Sequence, residues 1–184
     1  MGAAVYQLAV LHDQNTVRVD QGGQAMGNHD HGFAHRNARQ VFNEDGNALI
    51  HKIKGDILYL DPPYNARQYG SNYHILNTIA KYDTFIPKGK TGLRDYYRSN
   101  YCKKNEVQIS FEELIKNANF NYVFLSYNNE GLMTENEVKT IMSKYGKYSL
   151  KTTNYQRFKA DKTENRNHKA TATVEYLHIL EKHL

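Results

Sequence analysis

Two apolar runs predict strands in the middle of the chain. Residues 56–60, Asp-Ile-Leu-Tyr-Leu, stop at a carboxylate followed by two prolines and a tyrosine, and residues 121–127 form the second run. Apolar runs of about four to eight residues that end at turn-forming residues are typical of buried strands. Residues 148–153 and 173–181 also predict strands, with a basic stretch between them.

Capping residues predict where the helices begin. Asn47 is expected to cap a helix that runs to Lys54, and its buried side consists of four apolar residues, Ala48, Leu49, Ile50 and Ile53. Two pairs have the spacing of a capping box and predict later helices: Ser110 with Glu113, for a helix through Ala118, and Thr134 with Glu137, for a helix to about Tyr145.

A further helix is predicted over residues 72–82, with Ser71 as its cap. Its apolar residues recur at near-helical spacing and are expected to pack into the core rather than to bind a ligand: Tyr73, Leu76, Ile79 and Ala80. Strand, helix, strand, helix, strand, strand is the order of an α/β fold with early parallel pairing and a final antiparallel hairpin.

Residues 1–40 carry a weaker signal, and we predict a loop-rich segment there that precedes a domain over residues 41–184. Residues 5–11 and 16–20 predict short strands, for which a hairpin is one arrangement, whereas residues 21–40 show no periodicity. Three histidines in the second stretch raise the hypothesis of a metal site, namely His29, His31 and His35. No second group of ligands supports that hypothesis, so we expect a structural or solvated role.

Composition narrows the class of protein. The 184 residues are enough for one domain with a core. The single cysteine, Cys102, excludes an internal disulfide and a cysteine zinc cage, and with no secretory signal pattern or membrane-spanning run it predicts a cytoplasmic protein. A net charge of +5 permits nucleic-acid binding without requiring it.

The end of the first apolar run offers a specific chemistry. Proline cannot donate to a sheet ladder, so Pro62 and Pro63 end the strand and present their neighbours rigidly. Asp61 and the carbonyl of Pro62 can accept the two hydrogens of an exocyclic amine and so direct its lone pair toward an electrophile. Tyr64 can stack on the base, which is worth about 1–3 kcal/mol, once that base has been flipped out of a duplex.

The tetrapeptide Asp61-Pro62-Pro63-Tyr64 resembles the catalytic motif of amino-group methyltransferases that use S-adenosylmethionine. Residues 65–69 (Asn-Ala-Arg-Gln-Tyr) and 72–74 (Asn-Tyr-His) extend the resemblance to the type II N6-adenine DNA methyltransferases of restriction–modification systems, a group that includes the Dam-like enzymes. Residues 90–94 and 125–131 resemble the same group. The resemblance implies a partial Rossmann-like class I methyltransferase fold with a terminal antiparallel hairpin.

The resemblance also implies site residues and partners. Asp61 to Tyr64 would be catalytic, and Asp61 would also lie at the cofactor. Asp45 occupies the position that holds the adenine ring of S-adenosylmethionine, although a plain turn residue is an equal alternative. The implied substrate is double-stranded DNA with a flipped adenine, and a cognate restriction endonuclease is a possible partner.

Basic and aromatic residues supply candidates for DNA binding. Residues 84–109 lack periodicity and mix lysine and arginine with tyrosine, which favours a surface that tracks phosphates, with a solvated charged face as the alternative. Phe158 is expected to face the flipped adenine or to pack under its own loop. The full set of DNA-binding candidates is Arg67, Tyr69, Lys90, Arg94, Arg157, Phe158 and Lys159.

One expected motif is missing from the sequence. The family carries an N-terminal Phe-x-Gly-x-Gly loop for the cofactor, whereas Gly22, Gly23 and Gly27 lie in a polar stretch that no buried strand precedes. The resemblance covers residues 41–182 and predicts a truncated, C-terminal portion of such an enzyme. Two alternatives follow: a non-catalytic nucleic-acid-binding fragment, and an RNA or protein amide N-methyltransferase.

Overall fold

The structure is a computed structural model that describes residues 5–8, 16–19, 40–156 and 172–183. Seven strands are present in this part of the chain: β1 (Val5–Leu8), β2 (Thr16–Val19), β3 (Gln40–Asn43), β4 (Lys54–Leu60), β5 (Asn119–Asn128), β6 (Gly146–Gln156) and β7 (Ala172–Lys182). The helices are α1 (Gly46–Leu49), α2 (Tyr69–Asn72), α3 (His74–Lys81), α4 (Val107–Asn117) and α5 (Glu135–Ser143), with a 3-10 turn at Asn100–Cys102.

Five strands form one mixed sheet in the order β1-β4-β5-β7-β6. β1 and β5 both run parallel to β4, and β7 is antiparallel to β5 and to β6. The predicted α/β class and the terminal antiparallel hairpin are therefore confirmed. The parallel pairing brings the carboxyl ends of β4 and β5 to the same edge of the sheet, where ligands bind in open α/β folds.

The two predicted N-terminal strands are present, but they do not pair with each other. β1 pairs with β4, from Val5 opposite Ile57, and β2 pairs antiparallel with β3, from Thr16 opposite Asn43. A local hairpin competes with the open edges of other strands, and in this fold each of those edges takes one of the two strands. The histidines at 29, 31 and 35 and residues 157–159 lie outside the described residues.

The core lies between one face of the sheet and the helices α1, α4 and α5. Burial alternates along β5, so that Val123, Leu125 and Tyr127 point into the core while the residues between them are half-buried. Leu58 and Leu60 of β4 lie on the same face and are buried. On α4 and α5 the buried residues recur at helical spacing, namely Val107, Phe111, Leu114, Ile115, Val138, Ile141 and Met142.

The helix starts predicted at Asn47 and at Ser110 are wrong. Asp45, and not Asn47, caps α1 by accepting bonds from the backbone of Asn47 (2.9 Å) and Ala48 (3.3 Å). The helix ends at Leu49, and Ala48 is exposed. α4 begins at Val107 rather than at Ser110, because burial of Val107 extends the helix by a turn without a side-chain cap.

The capping box of α5 is confirmed. The Thr134 hydroxyl accepts a bond from the backbone of Glu137, and the Glu137 carboxylate accepts one from the backbone of Thr134. The helix ends at Ser143, and Gly146 already belongs to β6. Within the described residues no helix is both long and apolar enough to cross a membrane.

The helix predicted over residues 72–82 is also different. It is divided at Tyr73 into α2 and α3, and Ser71 bonds to the carbonyl of Gln68 instead of capping it. The apolar side that was expected in the core is exposed, since α3 buries none of its residues. The periodicity correctly predicted an apolar side that favours burial. It could not predict that this side is exposed in the described part of the chain.

Candidate active site

The Asp61–Tyr64 tetrapeptide lies at the carboxyl end of β4, where the sequence placed it. Leu60 pairs with Leu125, so β5 continues past this point to Asn128 and forms one wall beside the loop. Pro62 and Pro63 are buried, whereas Asp61 and Tyr64 are open to solvent. The two prolines therefore anchor the loop, and the two candidate catalytic side chains face outward from it.

The turn after β5 holds Tyr64 in place. The backbone N–H of Leu132 donates to the Tyr64 carbonyl at 2.9 Å, and the Tyr64 ring meets the ring of Tyr127 edge to face, with centroids 6.1 Å apart. Tyr127 is buried, and its hydroxyl accepts a bond from the backbone of Met133. A Cβ on Gly131 would lie 2.1 Å from the Tyr127 ring, so only glycine fits at this position.

A second contact holds the loop from the other side. The Gln68 side-chain amide bonds to both backbone groups of Ser99, accepting from its N–H at 2.9 Å and donating to its C=O at 3.2 Å. The Cys102 thiol donates to the carbonyl of Arg67 at 3.4 Å. Ser99 and Cys102 are buried, so these bonds tie residues 67–68 to a fixed part of the structure.

The electrostatics show that three candidate site residues, Asp61, Tyr64 and Tyr69, influence one another. Partial burial raises the pKa of the Asp61 carboxyl. Burial also raises the pKa of Tyr64, with smaller contributions from Glu175, Asp61 and Glu130. The pKa of Tyr69 is raised by burial and then by Tyr64 and Asp61. Both tyrosines are therefore neutral near pH 7, and no hydrogen bond to another described residue occupies the Asp61 carboxylate.

Asp45 lies in a different network. Its Oδ1 atom caps α1, and its Oδ2 atom accepts a bond from the Tyr97 hydroxyl at 3.3 Å. The neighbouring Asn47 bonds to Ser110 and to the buried Tyr101, which fixes the start of α1 against α4. The turn role of Asp45 is thus present in the structure, and its adenine-binding role stays a prediction.

The predicted DNA-binding residues have different environments. Arg67 is exposed beside the loop, and Tyr69 stacks on Tyr73 with centroids 5.7 Å apart. Lys90 is exposed in the turn between Lys88 and Leu93, which are bridged.

Arg94 differs from these residues because only 7% of its surface is exposed. It forms two bonds with Asp83, at 2.7 and 2.8 Å, and its guanidinium lies over the Phe85 ring. Its Nη1 atom is buried without a hydrogen-bond partner. In this arrangement the Arg94 side chain stabilises residues 83–94 from inside, and its charge is not exposed to a phosphate.

Comparison with known proteins decides which family this geometry represents. Residues 29–141 match the family model of the D12 class N6 adenine-specific DNA methyltransferases. The chain belongs to this family. The predicted resemblance is confirmed, and the sheet described above is the mixed α/β sheet expected of a D12-class methyltransferase.

Curated relatives of this D12-class chain are type II methyltransferases. It is 67% identical over 143 residues to the type II methyltransferase M.NlaIII of Neisseria lactamica, a match that covers 78% of this chain and 43% of the relative. It is 44% identical over 150 residues to M.FokI of Planomicrobium okeanokoites, covering 79% of this chain and 23% of the relative.

A third relative is viral. The chain is 43% identical over 121 residues to M.CviAII of Paramecium bursaria Chlorella virus 1, covering 66% of this chain and 36% of the relative. The D12-class chain therefore spans less than half the length of these relatives. No solved structure matched it significantly.

Sequence reasoning missed the residues that hold the D12-class tetrapeptide in position. Gln68 and Ser99 are 31 positions apart, and no local pattern connects them. Tyr127 lies in β5 and Gly131 in the turn after it, and both belong to residues 125–131, whose resemblance to the family was the available signal. No group of three or more potential metal ligands occurs within residues 5–8, 16–19, 40–156 and 172–183.

Proposed function

We propose that this chain is the catalytic-motif portion of an enzyme that methylates N6 of adenine in double-stranded DNA. The observation that carries the proposal is that Asp61, Tyr64 and Tyr69 lie together after the carboxyl end of β4, where no described residue bonds to the Asp61 carboxylate. Membership of the D12 family supports the reaction type. We place the catalytic domain at residues 41–184.

Asp61 and Pro62 would orient the nucleophile. The adenine N6 carries two hydrogens, and the carboxylate of Asp61 and the carbonyl of Pro62 would accept one each, which directs the nitrogen lone pair outward. Because Pro63 and the bond from Leu132 to the Tyr64 carbonyl hold the loop, these acceptors are fixed before the substrate arrives. The raised pKa of Asp61 also makes this carboxylate a better proton acceptor than an ordinary aspartate.

The aromatic residues would hold the flipped base. Tyr64 presents its ring beside Asp61, and its edge-to-face contact with Tyr127 fixes the ring plane. Stacking of a base on an aromatic ring is worth about 1–3 kcal/mol, which offsets part of the cost of unstacking it from the duplex. Tyr69 shares the same environment and is the second candidate for contact with DNA.

S-adenosylmethionine would supply an electrophilic methyl group bound to a sulfonium. Asp61 and Asp45 are the residues proposed to hold it. Asp61 fits this role because no described residue bonds to its carboxylate, and Asp45 fits less fully because one oxygen already caps α1. The family's glycine-rich cofactor loop was not found in the sequence, so these two carboxylates are the cofactor contacts that we propose for this chain.

The DNA would be contacted along the basic side of the loop. Arg67 and Lys90 are exposed and available to phosphate oxygens, and Arg157, Phe158 and Lys159 are retained as proposed contacts. Arg94 is better explained as support for residues 83–94. A cognate restriction endonuclease acting on the same DNA, in the cytoplasm, completes the proposal.

The test is transfer of a labelled methyl group to adenine-containing duplexes by the whole chain. Asp61→Ala should reduce transfer at least about a hundredfold, because the amine loses its acceptor. Asp56→Asn is the matched control, since Asp56 lies in the same strand β4 and bonds to Asn121. Undiminished transfer by Asp61→Ala, or equal losses in both variants, would refute the assignment.

A non-catalytic nucleic-acid-binding fragment is the second candidate, and the partial coverage of the relatives favours it. Calorimetry with S-adenosylmethionine separates the two functions. Micromolar binding supports the enzyme, whereas absence of binding together with salt-sensitive DNA binding supports the fragment.

A further inference from the structure

The helix α3 is amphipathic in the reverse sense of a normal surface helix. Its polar residues His74, Asn77 and Thr78 are half-buried, while its large apolar residues are exposed. The exposed fractions are 62% for Ile75, 62% for Leu76 and 67% for Ile79. A helix on the surface of a complete domain has the opposite arrangement, with the apolar side against the core.

The exposed apolar residues form one continuous side. Ile79 lies four positions after Ile75, three after Leu76 and three before Tyr82, which places these side chains next to one another on a helix. Tyr82 ends the helix with a left-handed backbone (φ 46°) and is 95% exposed. We refer to these four residues as the α3 face. Contiguous exposed apolar surface of this kind marks an interaction site.

The chemistry of the α3 face indicates a polypeptide as its partner rather than DNA. Three of the four side chains are aliphatic, so they neither pair with phosphates nor offer a ring for base stacking. The only charged side chain in α3 is Lys81, at its last position. An eight-residue helix is also too short to be stable without tertiary contacts, so covering this face would stabilise it.

Relatives of the chain show where such a polypeptide would come from. α3 lies within the stretch that matches the D12 family, residues 29–141. Any stretch of 143 residues in a chain of 184 must also contain α3, so the match to M.NlaIII at 67% identity includes this helix. That match covers only 43% of M.NlaIII, and more than half of the relative's length therefore lies outside it.

We propose that the α3 face docks against the part of the methyltransferase polypeptide that lies outside the matched stretch. The occupant is an apolar protein surface contributed by that portion of the methyltransferase polypeptide. This inference rests on the family and, for its biological meaning, on the proposed function. It adds that the site at Asp61 and the rest of such an enzyme meet through α3.

The experiment co-expresses the full 184-residue chain with a polypeptide that carries the portion of M.NlaIII outside the match, and measures their complex by sedimentation. Ile79→Glu should weaken the complex at least about tenfold, since a charge would be buried without a partner. Ile109→Glu is the matched control: Ile109 is also 67% exposed and lies on the helix α4. It should change binding less than about twofold.

A second measurement covers the case in which the separate portion does not fold. The aligned residues of M.NlaIII are replaced by this chain to give one continuous protein, and thermal unfolding is followed. Ile79→Glu should lower the Tm of this chimera by about 4 °C or more and leave the Tm of the 184-residue chain unchanged. Ile109→Glu should leave both proteins unchanged.

Three outcomes would overturn the proposal. One is that Ile79→Glu has no effect on the complex or on the chimera, and another is that Ile109→Glu has the same effect. The third is self-association of the 184-residue chain that Ile79→Glu abolishes, because the occupant would then be a second copy. None of these readouts uses methyl transfer, so an inactive complex would refute the proposed function and leave this inference intact.

Discussion

The helices α3 and α5 carry the same kind of sequence pattern and have opposite environments. Both have apolar residues at helical spacing, but α5 buries Val138, Ile141 and Met142, and α3 buries none of its residues. The difference lies in their neighbours, since α5 packs between α4 and the β6–β7 hairpin. An apolar side thus indicates that a helix favours burial of that side. Only the surrounding fold determines whether the side is buried.

The sharpest way to break this comparison is to truncate one large apolar side chain in each helix. Met142→Ala should destabilise the chain by about 2–5 kcal/mol, because a fully buried side chain leaves a cavity. Leu76→Ala should change stability by less than about 0.5 kcal/mol, since its side chain is already in water. Urea unfolding of both variants measures this, and similar losses would show that α3 is covered.

The second prediction concerns pH and the sheet against which α5 packs. His178 is fully buried in β7, its Nδ1 lies 2.8 Å from the Tyr148 hydroxyl, and burial lowers its pKa to about 4. As the pH falls through 6.5, His178 therefore binds a proton in the unfolded chain but stays neutral in the folded chain. The contribution of His178 to the free energy of unfolding is retained above pH 6.5, and the free energy of unfolding should fall by about 2 kcal/mol between pH 7 and pH 5.

Replacing the titrating group checks this prediction. His178→Gln should abolish most of the pH dependence between pH 7 and pH 5, whatever its effect on stability at pH 7. The exposed His51 serves as the control, and His51→Gln should retain the full loss. A chain whose stability is constant over this range would contradict the buried, neutral state of His178.

The third prediction extends the comparison to the loop at the candidate active site, whose side chains have defined partners, whereas the α3 face is exposed. Gln68→Ala removes both bonds to Ser99 and should cost about 1–2 kcal/mol. Amide hydrogen exchange should then become faster in residues 61–69. In the proposed methyl transfer, kcat should fall and KM should change less, because the hydrogen-bond acceptors are less well positioned. Asn72→Ala, at an exposed position on α2, should change neither quantity.

The smallest expected effect is at the helix caps. Thr134→Ala removes the capping box of α5 and should cost about 1 kcal/mol. Thr78→Ala, in the middle of α3, should be close to neutral, because the Thr78 hydroxyl only bonds back to the His74 carbonyl and alanine is the better helix former. Thermal unfolding compares the two, and a larger loss at Thr78 would reverse their order.

Local sequence patterns determined the parts of this protein that depend on neighbouring residues. The strand that ends at Asp61 and its prolines, the capping box of Thr134 and Glu137, and the two separate strands β6 and β7 follow from interactions within about ten residues or from the pattern along one strand. The family motif also lies in one continuous stretch, so the candidate catalytic residues were available from the sequence.

Tertiary structure alone decided how distant segments meet. Gln68 bonds to Ser99, Asp45 caps α1 in place of Asn47, and α4 begins a turn early at the buried Val107. The free energy of packing outweighs the weak local preferences of these residues. The same reason explains the exposed side of α3 and the buried Arg94. The sequence pattern shows which environment a side chain favours, but only the folded chain determines whether that environment exists.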